Sequence, residues 1–158
     1  MSKNQDKWEL FTQEYVGQFG GQKIVEITET TRQQVLSGIA IGRRDGVGQR
    51  DIAKRIMGQA PSIGRQRAAV IARTETHSAG NYGALKQAED TGLQMQKEWL
   101  AAEGARTRES HNAANGQVVM MNEPFIVGGH EMQYPGDPSG PASETVNCRC
   151  SQGFIVMD

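Results

Sequence analysis

The spacing of apolar residues changes near Gly92, and this change constrains the fold more than any other feature of the chain. Upstream, apolar residues recur every three or four positions, which is the period of one helical face. The first such series is Trp8, Phe11, Tyr15 and Phe19. Downstream, residues 121–144 contain proline and glycine too often for a long helix or strand. The sequence therefore predicts an α+β fold, in which N-terminal helices, one of them long, precede a small β-sheet with long Pro/Gly-rich loops.

We predict four helices in the part of the chain that precedes Gly92. Their approximate bounds are 6–19, 28–40, 49–57 and 61–89. Thr28 or Thr30 can cap the second helix, because a hydroxyl accepts a hydrogen bond from an otherwise unpaired backbone N–H. The fourth helix is the longest. It is expected to turn three small apolar residues inward: Ala69, Val70 and Ala72.

The remainder is expected to form strands and long loops. Residues 93–99 alternate in a strand-like way, with one face formed by Leu93, Met95, Lys97 and Trp99. Residues 149–158 are predicted to be a closing strand, and residues 108–111 a helical turn. We assign residues 1–27 to an N-terminal helical extension and residues 28–158 to the main domain.

Hydropathy argues against a membrane protein. The mean hydropathy is -0.57, and no apolar run is long enough to span a bilayer. The opening residues, MSKNQDKWEL, lack the apolar stretch of a signal peptide. We therefore expect a soluble intracellular protein with no membrane partner.

The net charge of -1 hides an uneven distribution of charge along the chain. Residues 1–75 carry 12 basic and 8 acidic residues, whereas residues 76–158 carry 5 basic and 10 acidic residues. A basic block lies in the first part, and its candidate DNA-contacting residues are Arg43, Arg44, Arg50, Lys54, Arg55, Arg65 and Arg67. The block predicts either non-specific contact with DNA phosphates or an ordinary solvated face of helices.

Residues 49–73 also fit a helix-turn-helix. A short helix, a glycine turn and an arginine-rich second helix could place Arg65 and Arg67 in a major groove. The same succession describes any helical hairpin, so a sequence-specific DNA-binding module remains one of two readings.

Both cysteines lie in the segment Glu144–Cys150, which reads ETVNCRC. A disulfide between positions i and i+2 cannot easily reach the usual Cα separation, so Cys148 and Cys150 are not expected to be bridged. In an extended segment their side chains point to the same face. Two adjacent sulfur atoms suit either a metal site or a buried core.

A series of motifs in the second half resembles the Mu F-like phage head morphogenesis family. In chain order these motifs are IARTETHSAGNYG, KEWLAAEGARTRESHNAANGQ, EPF, YPGDPSG and NCRC. The upstream segment VLSGIAIGRRDGVGQRDIAKRI is similar to the helical lead-in of that family, so the resemblance covers about residues 35–152.

The resemblance implies a structural role in the virion. Family members are minor head proteins, incorporated inside the procapsid in few copies and associated with the portal, that assist assembly or DNA delivery. The implied location is the interior of the phage head, with the host cytoplasm as the site during assembly. The implied partners are the portal protein, the capsid interior and the packaged DNA, and the implied protein is not an enzyme. Residues 28–158 would be the family's domain.

The resemblance also implies zinc as a candidate cofactor. Some relatives carry Thr-Cys-x-x-Cys where this chain has TRESH, and with the Cys-x-Cys motif that would make four thiolates. Here Arg108 occupies one of those positions, and a guanidinium cannot ligate zinc. Three candidate ligands remain, namely His111, Cys148 and Cys150. A fourth would have to be His130, Asp137, Glu109 or water.

A polar knot without metal is the alternative for the same region. In this interpretation His111 bonds Glu75 or a backbone carbonyl, and Arg108 or Arg149 forms a bidentate pair with Glu75 or Asp137. The residues of the predicted knot are Arg73, Glu75, Arg108, Asp137 and Arg149. Both versions predict that the two cysteines return to His111 and to the segment 73–75 of the long helix.

An enzyme is a further alternative. Arg73, Glu75 and His111 could serve a transferase or hydrolase if they met at one cleft, with Glu75 as the base. The sequence contains no G-x-S-x-G elbow, no phosphate-binding Walker loop and no His-Glu-x-x-His helix.

Overall fold

The structure is a computed structural model that describes residues 3–158, with only the backbone described for residues 3–6. Its helices are α1 (Lys3–Gln18), α2 (Glu29–Arg44), α3 (Gln49–Gln59), α4 (Arg65–Asp90), α5 (Glu109–Ala114) and α6 (Ala142–Thr145). Its strands are β1 (Met95–Leu100), β2 (Val118–Met120), β3 (Phe125–Val127), β4 (His130–Met132) and β5 (Ser151–Val156). The predicted α+β fold, with a long helix before a small sheet, is confirmed.

The strands form one three-stranded antiparallel sheet and one separate hairpin. The sheet has the order β2-β1-β5, and β3 pairs with β4 in the hairpin. Met95, Lys97 and Trp99 of the central strand are buried, as the alternation predicted, whereas Leu93 precedes the strand and is exposed. β1 is paired on both sides, and β5 is the strand that contacts α4, where the Gln152 side chain donates to the Asn81 carbonyl at 2.7 Å.

The predicted caps and helix faces are partly correct. Thr28 caps α2, with its hydroxyl accepting a hydrogen bond from the N–H of Thr31 at 3.1 Å. The long helix begins at Arg65 rather than at residue 61 or 62. Its buried apolar residues in the first turns are Ala68, Ile71 and Ala72, so the predicted inward positions of Ala69 and Val70 are wrong. The continuous apolar run AAVIA has no periodicity of its own, so packing against the neighbouring helices decides which face is buried.

The larger core lies among α1, α2, α3 and α4. Tyr82 of α4 contacts Tyr15, Phe19 and Tyr134, with ring centroids 5.6 to 5.7 Å apart. Gly83 permits the close approach of α1, because an added Cβ would lie 2.8 Å from the Thr12 side chain. The α1 helix therefore packs directly on α4, and the assignment of residues 1–27 to a separate extension stays a prediction.

A second, smaller core lies under the sheet and hairpin. Its buried members are Trp99, Ala114, Phe125, Val127, Met132, Cys148 and Cys150. The Trp99 ring stands edge-to-face to Phe125, with centroids 5.4 Å apart. The two cysteines are thus part of the packing as well as of any polar site.

A buried polar strip on α4 attaches the loops to the helical layer. Thr74, Ser78 and Asn81 follow the spacing i, i+4, i+7, and all three are buried. Asn81 donates hydrogen bonds to the carbonyls of Pro135 at 3.0 Å and Cys150 at 3.2 Å. The long helix is therefore the shared support of both cores. Among the helices that the structure describes, none is long and apolar enough to cross a membrane.

Candidate functional site

The centre of the candidate site is His111, which α5 holds in a buried position. Its ring is 2% exposed and stands edge-to-face to Trp99, with centroids 5.6 Å apart. Nε2 lies 2.9 Å from a carboxylate oxygen of Glu144, and Nδ1 lies 3.2 Å from Cys150 Sγ. Cys148 Sγ is 3.9 Å from the same Nδ1. Both ring nitrogens therefore have partners, and we call the group of His111, Glu144, Cys148 and Cys150 the clasp.

The two cysteines are free thiols that point to the same side of their segment. Each is 1% exposed, while Arg149 between them faces solvent. A hydrogen bond from the Cys148 thiol lowers the pKa of Cys150, with a smaller contribution from His111, although burial acts in the opposite direction. The same hydrogen bond and burial raise the pKa of Cys148. The pair thus favours one thiolate, on Cys150.

Three atoms of the clasp fit the donor arrangement of a zinc site. Nδ1 of His111 and the two sulfur atoms lie within 4.8 Å of one another. Tetrahedral zinc, bound at about 2.0 to 2.3 Å, separates its donor atoms by about 3.5 Å, which lies between the two sulfur distances from Nδ1. Glu144 holds the other ring nitrogen, which is the usual place of a carboxylate that orients a metal-bound histidine.

The structure does not add a fourth protein ligand to this group. Within the described residues, the group of closely spaced histidine, cysteine and carboxylate donors consists of His111, Cys148 and Cys150 alone. Asp137 accepts hydrogen bonds from the N–H groups of Gln133 at 2.7 Å and Ser139 at 2.9 Å, so it orders its own loop. The side chain of Glu109 is exposed, as is that of His130 in β4.

The predicted pairings within the polar knot are wrong, although its arginines do hold the same segment. Arg73 donates to the Asn147 side-chain oxygen at 3.0 Å, and Arg108 donates to the Val146 carbonyl. Asn147 adopts a positive φ of 59°, and its N–H bonds Thr74 at 3.0 Å. The arginines therefore bind amide oxygens of residues 146–147 in place of the carboxylates that the sequence suggested.

Glu75 lies on another side of α4 and has no contact with the clasp. Its carboxylate accepts a hydrogen bond from the N–H of Gly21 at 3.1 Å, in the linker between α1 and α2. Burial raises the pKa of Glu75 to about 7, although this hydrogen bond and the charge of Arg32 act in the opposite direction. Consecutive residues on a helix point about 100° apart, so Thr74 faces the second half of the chain while Glu75 faces the linker.

This arrangement does not bring the predicted catalytic residues to one cleft. Arg73 and His111 line a cleft of about 660 Å³ together with Cys150. Glu75 lines a separate groove of about 160 Å³ between α4 and the linker. A mechanism with Glu75 as the base for a group bound beside His111 is therefore not supported by the geometry.

The basic block is spread over α2, α3 and α4, and much of its charge is neutralised locally. Arg43 lies over the Trp8 ring at 4.8 Å and 3.8 Å from Glu9. Arg55 is 3.0 Å from Asp45. The remaining members are placed as follows: Arg44 is 3.7 Å from Asp45, Lys54 is 3.6 Å from Asp51, Arg67 donates to the Val25 carbonyl, and Arg50 and Arg65 are exposed. The second helix of the presumed helix-turn-helix is the central 26-residue helix α4, buried along its length.

Sequence reasoning missed two residues that complete the site, Glu144 and Asn81. Glu144 stands four residues before Cys148 in the same short motif, but nothing in that motif indicated that it meets His111. Asn81 could have been found from the helical spacing of the small polar residues Thr74, Ser78 and Asn81. A polar stripe of this kind is easily taken for a solvated face.

Comparison with known proteins adds the following findings. Residues 29–153 match the family described as Phage Mu protein F like protein. The chain is 32% identical over 137 residues to an NAD(+)-arginine ADP-ribosyltransferase from Enterococcus faecalis, covering 85% of the chain and 28% of that protein. It is 30% identical over 142 residues to the minor head protein GP7 of Bacillus phage SPP1, covering 83% of the chain and 44% of that protein. It is 25% identical over 139 residues to the Bacillus subtilis protein YqbB, covering 85% of the chain and 45% of that protein.

These relatives are longer proteins, since the chain spans less than half the length of each. No solved structure matches the chain at the significance applied to the curated relatives. The family match extends from the start of α2 to the middle of β5 and so includes the clasp, the polar strip of α4 and the smaller core, whereas the α1 side of the larger core lies outside it. The chain belongs to the phage Mu protein F like family.

Proposed function

We propose that this chain acts structurally in phage head morphogenesis, as a domain of a minor head protein. The observation that carries the proposal is the match of residues 29–153 to the phage Mu protein F like family, together with 30% identity to the SPP1 minor head protein. The geometry agrees with a structural role. The His111 ring and both thiols are almost fully buried and bonded to one another, which suits a fastening between loops better than contact with a substrate.

The clasp closes a long irregular segment onto the helical layer. Residues 121–150 contain only short elements and would lose much conformational entropy on ordering. His111, Glu144 and Cys150 join α5, α6 and the start of β5, while Asn81 ties the same segment to α4. In the metal-free form that we propose, the clasp is held by the partners of the two His111 nitrogens. Zinc, held by His111, Cys148 and Cys150, is the alternative occupant.

The partners and location follow from the same proposal. The portal protein and the inner surface of the capsid are the binding partners, and packaged DNA is contacted without sequence preference by exposed basic residues such as Arg50 and Arg65. The protein resides inside the phage head and passes through the host cytoplasm during assembly.

A transferase activity is the second candidate, because the relative from Enterococcus faecalis carries that name. The chain covers 28% of that protein, so most of the transferase lies outside the shared segment. The same part of this chain also matches a minor head protein. Head assembly is therefore the function that we propose for the shared segment.

Fractionation of an infected or induced culture tests the proposal. The chain should co-sediment with procapsids or bind the cognate portal ring, and it should do so without added nucleotide. A control expression without the phage should leave the chain at the top of the gradient, because capsid and portal are then missing. Recovery of the chain only as free protein, in a culture that makes normal heads, would contradict the proposal.

A further inference from the structure

The cleft beside the clasp gathers an unusual share of the positive charge of the second half of the chain. Arg73, Arg106, Arg108 and Arg149 all line it. Residues 76–158 contain five basic residues against ten acidic ones, and three of those five basic residues meet here. We call this the arginine cleft. A random distribution of charges on an acidic surface would not concentrate them in this way.

The four arginines reach the cleft from three separate segments. Arg73 comes from α4, Arg106 and Arg108 come from the loop between β1 and α5, and Arg149 comes from the segment before β5. Such convergence depends on the tertiary fold, and it differs from the run of basic residues along α2 and α3. The cleft has a volume of about 660 Å³, within the range of about 300 to 1,000 Å³ that is usual for sites of small molecules.

The charges in the cleft are not neutralised by the protein. Among residues 7–158, none of the four arginines forms an ion pair within 4.0 Å, whereas Arg43, Arg44 and Arg55 of the helical block each do. Glu103 is the one carboxylate that lines the cleft, and Cys150, which favours the thiolate, adds a second negative group. The four guanidinium groups therefore leave a net positive charge there, available to an anion from outside.

Two of the guanidinium groups are already held in position. Arg73 is fixed by Asn147 at 3.0 Å, and Arg108 is fixed by the carbonyl of Val146. Each guanidinium has five N–H donors, so one such bond leaves most of them free. Arg106 and Arg149 are exposed and can close over a ligand. Positioned arginines lower the entropy that binding would otherwise cost.

We propose that the arginine cleft binds a phosphate-bearing small anion, with a pyrophosphate group as the unit that it recognises. A carboxylate carries one charge, whereas pyrophosphate carries several charges and enough oxygen atoms to accept from more than two guanidinium forks. The source of the pyrophosphate group is a free polyphosphate or a nucleotide. This inference does not rest on the role in head assembly, because it concerns only the chain and its ligand.

Isothermal titration of the purified chain with inorganic pyrophosphate tests the inference. A chelator is included, so that a metal ion at the clasp cannot mediate phosphate binding. The chain should bind saturably at one site, and the double substitution Arg106→Gln and Arg149→Gln should weaken binding by about tenfold or more, since each charge-assisted hydrogen bond is among the stronger ones. Both residues are exposed, so the variant should unfold at the same temperature as the original chain.

The control is the double substitution Arg44→Gln and Arg65→Gln, which removes the same charge from two exposed positions of the helical block. It should change pyrophosphate affinity by less than about twofold. Equal losses in both variants, or no saturable binding by the original chain, would overturn the inference. A 20-base-pair duplex is then added as a competitor: pyrophosphate binding that persists in the presence of the duplex supports a small-anion ligand. Cleft-dependent duplex binding without any pyrophosphate binding would overturn the small-anion proposal in favour of nucleic acid.

Discussion

The helical half and the β-containing half of this chain are stabilised in different ways. The helical half, residues 7–90, buries a continuous set of apolar and aromatic side chains among α1, α2, α3 and α4. Its backbone hydrogen bonds are made within the helices. The second half, residues 95–158, has short strands and a core of only seven buried residues. Its backbone groups must find other partners.

Buried polar side chains supply those partners in the second half. Lys97 is fully buried and donates to the carbonyl of Gln133 at 2.7 Å and to its side-chain oxygen at 3.0 Å. Burial lowers the pKa of Lys97 to about 8. Asp137 and Asn81 bind further backbone groups of the same loops. A region with little regular structure thus depends on specific side chains to bond its buried backbone groups, whereas a helix bonds its own backbone groups.

Trp99→Ala should have the largest effect on stability, and it should destabilise the second half of the chain much more than the helical half. Trp99 is 0% exposed and contacts both His111 and Phe125, so its loss leaves a cavity and releases the clasp. We expect a loss of about 3 to 5 kcal/mol in the free energy of unfolding. Hydrogen exchange should accelerate in residues 95–158 and much less in α1 to α4.

Ile56→Ala in the helical core is the matched control, because Ile56 is also 0% exposed. It should cost about 2 to 5 kcal/mol and accelerate exchange in both halves, since α4 supports them both. Identical hydrogen-exchange patterns in the two variants would show that the two halves are not stabilised in different ways.

Glu75→Gln tests the one buried carboxylate that joins α4 to the linker of the helical half. A carboxyl group whose pKa is raised by folding binds more protons when folded, so stability is full below its unfolded pKa, near 4.5, and falls as pH rises through about 7. Relative to the original chain, Glu75→Gln should therefore gain stability between pH 5 and pH 8, by up to about 3 kcal/mol. Urea unfolding at both pH values measures this gain.

Glu131→Gln provides the comparison for that experiment, because Glu131 lies exposed in the β3–β4 hairpin. It should leave the pH dependence unchanged. If Glu75→Gln retains the full pH dependence of the original chain, the carboxylate of Glu75 is not the group responsible.

Cys148→Ser should have the smallest effect if the clasp is free of metal, about 1 to 3 kcal/mol of packing and hydrogen bonding. If zinc occupies the clasp, the same substitution should release it, and the loops of residues 101–108 and 121–150 should become sensitive to protease. Elemental analysis of the purified chain and of the variant, followed by limited proteolysis, separates the two cases.

Ser143→Ala serves as the control, because Ser143 is exposed in α6. It should change neither metal content nor protease sensitivity. If the Cys148→Ser variant matches this control in metal content, stability and protease sensitivity, the clasp does not hold the second half of the chain.

Much of the local structure could be predicted from the sequence. The α+β class, the four helices, the cap at Thr28 and the inward face of β1 all follow from apolar spacing and residue type. The side-by-side thiols of Cys148 and Cys150 follow from the alternation of an extended segment. These features depend on neighbours within a few positions, so they can be read without the fold.

The partners of the polar residues could not be predicted in the same way. The sequence paired Arg108 or Arg149 with Glu75 or Asp137, whereas Arg108 binds the Val146 carbonyl and Arg73 binds Asn147. Glu144, which holds His111, was not identified at all. These contacts join residues more than 30 positions apart, and many pairings of charged and polar groups are equally compatible with the sequence.

By itself, then, the sequence determined which segments are helix and which are strand, because hydrophobic periodicity and backbone propensity act over short distances. The tertiary structure alone decided that α4 presents Glu75 to the linker and Thr74 to the second half, and that arginines from three segments meet in one cleft. The phase of a long helix and the path of long loops are fixed by packing against distant elements. A one-residue change in that phase would turn the strip of Thr74, Ser78 and Asn81 away from the loops that it holds.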